Sequence, residues 1–196
     1  MIDSNVVFDS VRRGYTNLSD ASNEEIIDYF SSIDADEMVG HISNIKGIVF
    51  EHIISAALNE QGLEASLFEM TNHPISDICI NDLGEIQLKA TDSDYYIENT
   101  LNLHDDVPII ATSEVANSVD SDMVIDSGVN NTDLTDLVAN SLDGVDCSDA
   151  TDAITDSVSD TLGESVSDTL ADSISPIPIS KTGVLIAGIK LLFGLF

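Results

Sequence analysis

Basic residues are what this sequence has least of. Six Lys and Arg stand against 36 Asp and Glu, which gives a formal net charge of −30 at pH 7. No Lys or Arg occurs between Lys46 and Lys89, and none follows Lys89 until Lys181. Proteins bind nucleic acid electrostatically when Lys and Arg release counterions from phosphates. The composition therefore excludes a broad basic binding surface and predicts long-range repulsion of DNA.

Cysteine is also scarce. The two cysteines, Cys79 and Cys147, define no disulfide framework and have no zinc-site spacing with the four histidines. Cys79 lies in an apolar segment and is expected to pack in the core. His52 could face either solvent or a site, but a structural role is favoured for each isolated histidine. The acidic, polar start Met1–Ser4 gives no secretory signal.

The most informative segment that is present spans residues 77–89. Asp77 opens an apolar strand, a Gly-containing turn follows, and the next strand carries Gln87-x-Lys89 between Ile86 and Leu88. Strand side chains alternate between faces, so Gln87 and Lys89 share a face and Asp77 can lie beside them. A carboxylate, an amide oxygen and an ammonium together can hold a divalent cation and activate water. This pattern favours metal-dependent phosphodiester cleavage.

The surrounding pattern predicts an α/β domain. Apolar residues at helical spacing predict a helix that contains Glu51. The predicted elements, in order, are helix 41–60, strands 64–70, 76–81 and 84–91, helix 93–102, strand 107–111 and a short helix from Thr112.

This order and these residues resemble the restriction-endonuclease-like nucleases, the PD-(D/E)xK superfamily, in the Gln-x-Lys variant of its Mrr-type members. The resemblance covers residues 41–118 and implies a core of helix, three strands, helix and strand. It also implies that Glu51 is the helix carboxylate, Asp77 the metal-binding aspartate, Gln87 the substituted acid and Lys89 the lysine that orients water. The implied cofactor is Mg²⁺ or Mn²⁺, with Asp77, Gln87 and Glu51 as ligands, and the implied substrate is DNA.

A purely structural interpretation of the same residues stays open. Ser76, not Pro, precedes Asp77, which departs from the family pattern. Asp77 can cap a turn, Glu51 can be a solvated helix residue, and Lys89 can be an edge-strand charge.

Residues 1–40 are predicted to form an acidic helical lead-in. Ser22 and Glu25 form a capping box for one helix, and another short helix can begin at Asp34 or Asp36. Arg12-Arg13 can contact phosphate, but a surface ion pair is favoured in so acidic a chain.

Two further cap signals lie in the candidate domain. Ser93 or a neighbouring Asp is predicted to cap the helix 93–102. Glu114 can cap a helix or approach a metal, and capping is favoured.

Residues 119–175 and 176–196 differ in character from the rest. The first segment is rich in Asp and Ser and contains an eight-residue repeat, so it is predicted to be disordered alone or to form an amphipathic helix on a protein partner. The second contains an apolar stretch, 182–196, shorter than the roughly 20 residues that cross a bilayer as a helix. It is interpreted as a membrane-inserting tail, a shallow anchor or a helix buried in an assembly.

Two functions follow from these patterns. The first is a metal-dependent nuclease that hydrolyses DNA phosphodiester bonds. The alternative is a non-enzymatic structural or delivered component of a phage or secretion assembly, which uses the repeat and the tail for docking or membrane insertion. Both can hold for a nuclease that is carried as cargo.

Overall fold

The computed structural model describes residues 5–68, 75–81 and 84–144. Its helices are α1 Asn5–Gly14, α2 Asn23–Ser31, α3 Ala35–Glu60, α4 Asp94–Leu103, α5 Ser113–Ala116 and α6 Asn131–Leu142, with a 3-10 turn at Thr16–Leu18. Its strands are β1 Ala65–Leu67, β2 Ile78–Ile80, β3 Gly84–Lys89, β4 Ile109–Ala111 and β5 Val124–Asp126.

The strands form one mixed sheet, so the chain has an α/β fold. The sheet has five strands in the order β1-β2-β3-β4-β5. β1, β2 and β3 are antiparallel neighbours, with Ile78 opposite Ile86. β3, β4 and β5 are parallel neighbours, with Lys89 opposite Ala111 and Asp126 in line beyond it. The predicted order of helix, three strands, helix and strand is present as α3, β1, β2, β3, α4 and β4.

Local sequence signals set several helix boundaries. The Ser22 side chain accepts from the Glu25 N–H, and the Glu25 carboxylate accepts from the Ser22 N–H, which is the predicted capping box. The Ser93 hydroxyl accepts from the Tyr96 N–H and caps α4, also as predicted. The two helices predicted near Asp34 and over 41–60 are one helix of 26 residues, because no Pro and no cap interrupts them.

The hydrophobic core lies on both faces of the sheet. Alternate residues of β4 point to opposite faces: Ile110 joins the main cluster, while Ile109 and Ala111 join a second one. The main cluster lies under α3, which contacts both α1 and α6. The second cluster includes Ile97 of α4 and Val115 beside it.

The domain extends past both predicted boundaries. Within 1–40, α1 and α2 bury Val7, Val11, Ile26 and Phe30 in the main cluster, so this segment is part of the domain and not a separate lead-in. Within 119–175, β5 extends the sheet and α6 is an amphipathic helix that covers the chain's own core, so residues 124–142 belong to the domain and the disordered alternative does not describe them.

The apolar spacing of α6 explains this difference. Leu134, Leu137, Val138 and Leu142 are all buried on one face of the helix. α6 is rich in Asp, Asn, Ser and Thr, a composition typical of disordered segments, and the prediction followed this composition and not the apolar spacing. The eight-residue repeat and the tail 182–196 lie outside the described residues. Within the described ranges, no helix combines the length and apolar character needed to cross a membrane.

Candidate active site

A cavity of about 530 Å³ opens between α3 and the strands that carry the predicted site. One wall is the face of α3 from Ser43 to Glu51. Asp77, just before β2, and Lys89, at the end of β3, also line it, and the opposite wall continues through Ser93 to Tyr96 at the start of α4. The fold thus brings a helix carboxylate, a strand carboxylate and an ammonium into one concave space.

Asp77 is held by two hydrogen bonds at its Oδ2 atom. The Leu88 N–H donates to it at 2.7 Å, and the Lys89 Nζ donates at 3.1 Å. The Asp77 N–H donates in turn to the Ile86 carbonyl at 3.0 Å, which extends the β2–β3 pairing by one residue. The side chains of Lys89 and Asp77 are only 18% and 14% exposed, so the pair has a defined geometry.

Glu51 lies deeper and is 8% exposed. Burial raises the pKa of its carboxyl group, because the charged form loses hydration. The Arg13 guanidinium opposes this shift, the nearby Asp77 charge adds to it, and Lys89 opposes it more weakly. The Asp77 charge therefore favours the protonated form of Glu51, and a proton competes with any cation for Glu51.

Arg13 is the site residue that the sequence did not reveal. Its Nη1 donates to Glu51 Oε2 at 2.8 Å, and its Nη2 donates to the Phe68 carbonyl at 2.8 Å. Arg12 forms the predicted surface ion pair, with Asp9, but Arg13 turns inward. Arg13 and Glu51 are 38 residues apart, and no local spacing signals such a contact.

Gln87 is the predicted site residue that does not line the cavity. It is 4% exposed, its backbone N–H donates to the Pro108 carbonyl at 2.9 Å, and it pairs with Ile109 of β4. Strand alternation places it on the same face of β3 as Lys89, but its role as a metal ligand stays a prediction.

Two carboxylates line the cavity, those of Glu51 and Asp77. Across residues 5–68, 75–81 and 84–144, no group of three or more His, Cys, Asp or Glu is placed to hold a metal. Mg²⁺ needs fewer protein ligands, because it keeps several waters and is commonly bound by one or two carboxylates plus substrate phosphate oxygens. Glu51 and Asp77 fit that number of ligands, and one oxygen of each, Glu51 Oε2 and Asp77 Oδ2, is already bonded to Arg13 or Lys89.

Other candidate residues have structural roles outside the cavity. The His52 Nδ1 lies 3.1 Å from the Ser10 hydroxyl, and burial lowers the pKa of this imidazole. Cys79 is a half-buried free thiol on β2. Glu114 accepts from the N–H groups of Asn131 and Thr132, at 2.7 and 3.2 Å. Glu114 is therefore a cap of α6, and not of the short helix predicted from Thr112.

Every cation in the described part of the chain is already engaged. Arg12, Arg13 and Lys89 pair with carboxylates. Lys46 is 8% exposed, and its Nζ donates to the Asn131 side-chain oxygen at 2.6 Å, which ties α3 to α6. Burial lowers the pKa of Lys46. The cavity therefore presents one ammonium, that of Lys89, and no wider basic surface.

Comparison with known proteins does not assign the chain to a family. No protein-family model, no curated protein and no solved structure matches the chain. The chemistry of the cavity therefore rests on its own side chains.

Proposed function

We propose that the chain is a metal-dependent nuclease that hydrolyses DNA phosphodiester bonds, with a restriction-endonuclease-like core. The observation that carries the proposal is the convergence of Glu51, Asp77 and Lys89 on one cavity. These side chains come from α3, from the residue before β2 and from the end of β3, the positions that the sequence resemblance assigns to the site. The mixed sheet, with β1–β3 antiparallel and β4 parallel to β3, supports the same core.

The side chains have distinct roles in this proposal. Glu51 and Asp77 would hold Mg²⁺ or Mn²⁺, and a metal there would supply Lewis-acid stabilisation of the phosphate and a more acidic water. Lys89 orients the attacking water or stabilises the charge that develops on the phosphate oxygens. Water adds to phosphorus, the ester P–O bond breaks, and the leaving oxygen takes a proton.

Because Glu51 is ion-paired with Arg13, we expect the activity to depend on both the pH and the metal concentration. A metal at Glu51 would compete with the Arg13 guanidinium for the carboxylate, and with a proton because burial raises the pKa of Glu51. We therefore expect activity to rise with pH through the titration of Glu51 and to need metal over the whole range.

A cleavage assay tests the proposal. The full chain and its Lys89→Ala variant are incubated with plasmid and with single-stranded DNA, at several salt concentrations, with Mg²⁺, Mn²⁺ or EDTA. We expect cleavage by the parent chain with either metal, none with EDTA, and a loss of about 100-fold or more in the variant.

Glu98→Gln is the matched control, because Glu98 is an exposed acid on α4 that does not line the cavity. It should cleave at the parent rate. Equal cleavage by the parent and Lys89→Ala would remove this mechanism, and no cleavage under any condition would remove the nuclease proposal.

A second candidate function is favoured by the engaged cations. Two carboxylates that are neutralised by Arg13 and Lys89 also suit a catalytically silent domain in a phage or secretion assembly. In that case, the chain would cleave nothing and would bind a protein partner through residues outside the described ranges. Co-purification with a defined assembly, without cleavage, would support this function.

A further inference from the structure

An exposed aromatic ring lines the cavity, and the proposed hydrolysis does not use it. Tyr96 lies near the start of α4 and is 49% exposed. Its backbone is fixed, because its N–H donates to the Ser93 hydroxyl at 3.3 Å and its carbonyl accepts from the Thr100 hydroxyl at 2.8 Å. A ring on a capped helix start contacts a ligand with little loss of backbone entropy.

Besides its charged and apolar residues, the cavity that Tyr96 lines has several uncharged polar residues. Ser43 and Asn44 line the cavity from α3, and Thr91 and Ser93 line it from the opposite side. Hydroxyl and amide groups can both donate and accept hydrogen bonds, as the edges of nucleobases and the sugar require. Lys89 lines the same cavity, so a phosphate there and a base at Tyr96 can belong to one nucleotide.

Electrostatics decides which form of DNA such a cavity can take. Duplex binding draws most of its non-specific affinity from Lys and Arg on the phosphates. Here the net charge is −30 and the four described cations are engaged. Base stacking on an aromatic ring needs no cation, but the base must be out of the duplex.

We propose that Tyr96 forms a stacking subsite for an unpaired nucleobase, and that the substrate of the cavity is single-stranded DNA. This inference rests on the proposed nuclease function and names its substrate class. The base stacks on Tyr96 while the adjacent phosphate reaches Lys89. Affinity then comes from stacking and hydrogen bonds, and duplex DNA is repelled.

Binding is measured by fluorescence anisotropy with the full chain and Ca²⁺ in place of Mg²⁺, so that the DNA stays intact. The probes are a short labelled oligothymidine, the same strand made abasic, and a duplex of equal length. We expect oligothymidine to bind tighter than either other probe by roughly 5-fold to 150-fold, the range for one stacked base. Tyr96→Leu should lose the same factor, and Tyr96→Phe should keep the affinity.

Tyr95→Leu is the matched control. Tyr95 is the neighbouring residue on α4, is 78% exposed and does not line the cavity. Its substitution should leave the affinity unchanged. Circular dichroism of all variants should match the parent, because both tyrosines lie at the surface.

Salt dependence provides an independent readout. Counterion release makes ordinary DNA affinity fall steeply with salt. For a chain that repels phosphates and stacks bases, affinity for oligothymidine should stay level or rise as salt screens the repulsion. A steep fall would overturn the proposal.

Parallel cleavage assays separate this inference from the proposed activity. If single strands bind in a way that depends on Tyr96 but are not cleaved in the presence of Mg²⁺ or Mn²⁺, the stacking subsite is supported and the nuclease proposal is contradicted. Cleavage of duplex that is insensitive to Tyr96→Leu would keep the nuclease and overturn the subsite. Equal affinity for duplex and single strand would also overturn it.

Discussion

Arg13 donates a 2.8 Å hydrogen bond from Nη1 to Glu51 Oε2, across 38 residues of sequence. The bond joins the end of α1 to the middle of α3, at the edge of the cavity. The same guanidinium holds the Phe68 carbonyl just after β1. The Arg13 side chain of α1 therefore links Glu51 on α3 to the backbone that follows β1.

Replacing Arg13 with Met should move the pH dependence of the site. The guanidinium lowers the pKa of Glu51 against the raising effect of burial, so its loss should raise that pKa further. The acid limb of metal-dependent cleavage should shift to higher pH. The pH–rate profile measures the shift, with Arg12→Met as the control, because Arg12 pairs with Asp9 and not with Glu51.

The same variant should also lose stability. Breaking a buried ion pair costs about 3–5 kcal/mol, and the partial exposure of both side chains places this pair at or below the lower end. Urea unfolding measures the loss. A pH profile that is unchanged in Arg13→Met, with the fold intact, would contradict the positioning role.

Two substitutions at Asp77 should separate catalysis from folding. Asp77→Asn keeps an acceptor for the Leu88 N–H but removes the charge that pairs with Lys89, so the chain should still fold, at reduced stability, and lose cleavage about 100-fold or more. Asp77→Ala also leaves that N–H without its partner, which should cost a further 1–3 kcal/mol, roughly. Urea unfolding and the cleavage assay, run on both variants, measure the two effects. Full activity in Asp77→Asn would exclude a metal at this carboxylate.

Glu114 should make the domain sensitive to acid. Burial alone would raise the pKa of its carboxyl group, but the N–H groups of Asn131 and Thr132 donate to it and its pKa is lowered. A carboxyl group with a lowered folded pKa adds stability above its unfolded pKa and loses that stability as the pH falls through the folded value.

The test compares the parent with Glu114→Gln in urea unfolding. The pH range runs from neutral to below about 4, which is close to the ordinary pKa of Glu. Near neutral pH, the parent should be more stable by about 0.3–1 kcal/mol, because Gln keeps an acceptor but loses the charge that the N-terminus of α6 favours. The difference should shrink on acidification. A difference that stays constant with pH would exclude this cap as its source.

Truncation should show that α6 belongs to the domain. A chain that ends at residue 118 lacks Leu134, Leu137, Val138 and Leu142, each of which is at most 1% exposed in the core. Burying each such side chain contributes about 1.5–3 kcal/mol, so together they match the typical stability of a whole domain.

Residues 1–144 should therefore unfold cooperatively, and residues 1–118 should not. Circular dichroism melts and amide NMR spectra of the two chains distinguish these outcomes. A cooperative melt of the shorter chain would show that α6 is dispensable.

The sequence predicts those parts of the fold that local patterns determine. The capping box at Ser22, the cap at Ser93 and the apolar spacing around Phe50 each act within a few residues, and the structure confirms them. The contacts of Arg13 and Lys46 were not predictable, because each joins residues far apart in the chain. In the site, Glu51, Asp77 and Lys89 line one cavity and the buried Gln87 does not line it, while the roles of all four residues stay predictions.

The end of the domain could have been predicted from the sequence. Leu134, Leu137 and Val138 follow the three- and four-residue spacing of a helix face, and Leu142 continues it. Composition outweighed this periodicity, because Asp, Asn, Ser and Thr are common in disordered segments. For so acidic a chain, the spacing of the few aliphatic residues is the better guide.

The closing position of α6 has a consequence for synthesis on the ribosome. Chains grow from the N-terminus, and a domain folds as a unit once its last element has emerged. α1 supplies Arg13 early, but the described core that packs against α3 also includes Leu142, much later in the chain. A nascent chain therefore carries the charged residues of the site well before Leu142 can join the core, and the cavity is expected to form only after α6 has been synthesised.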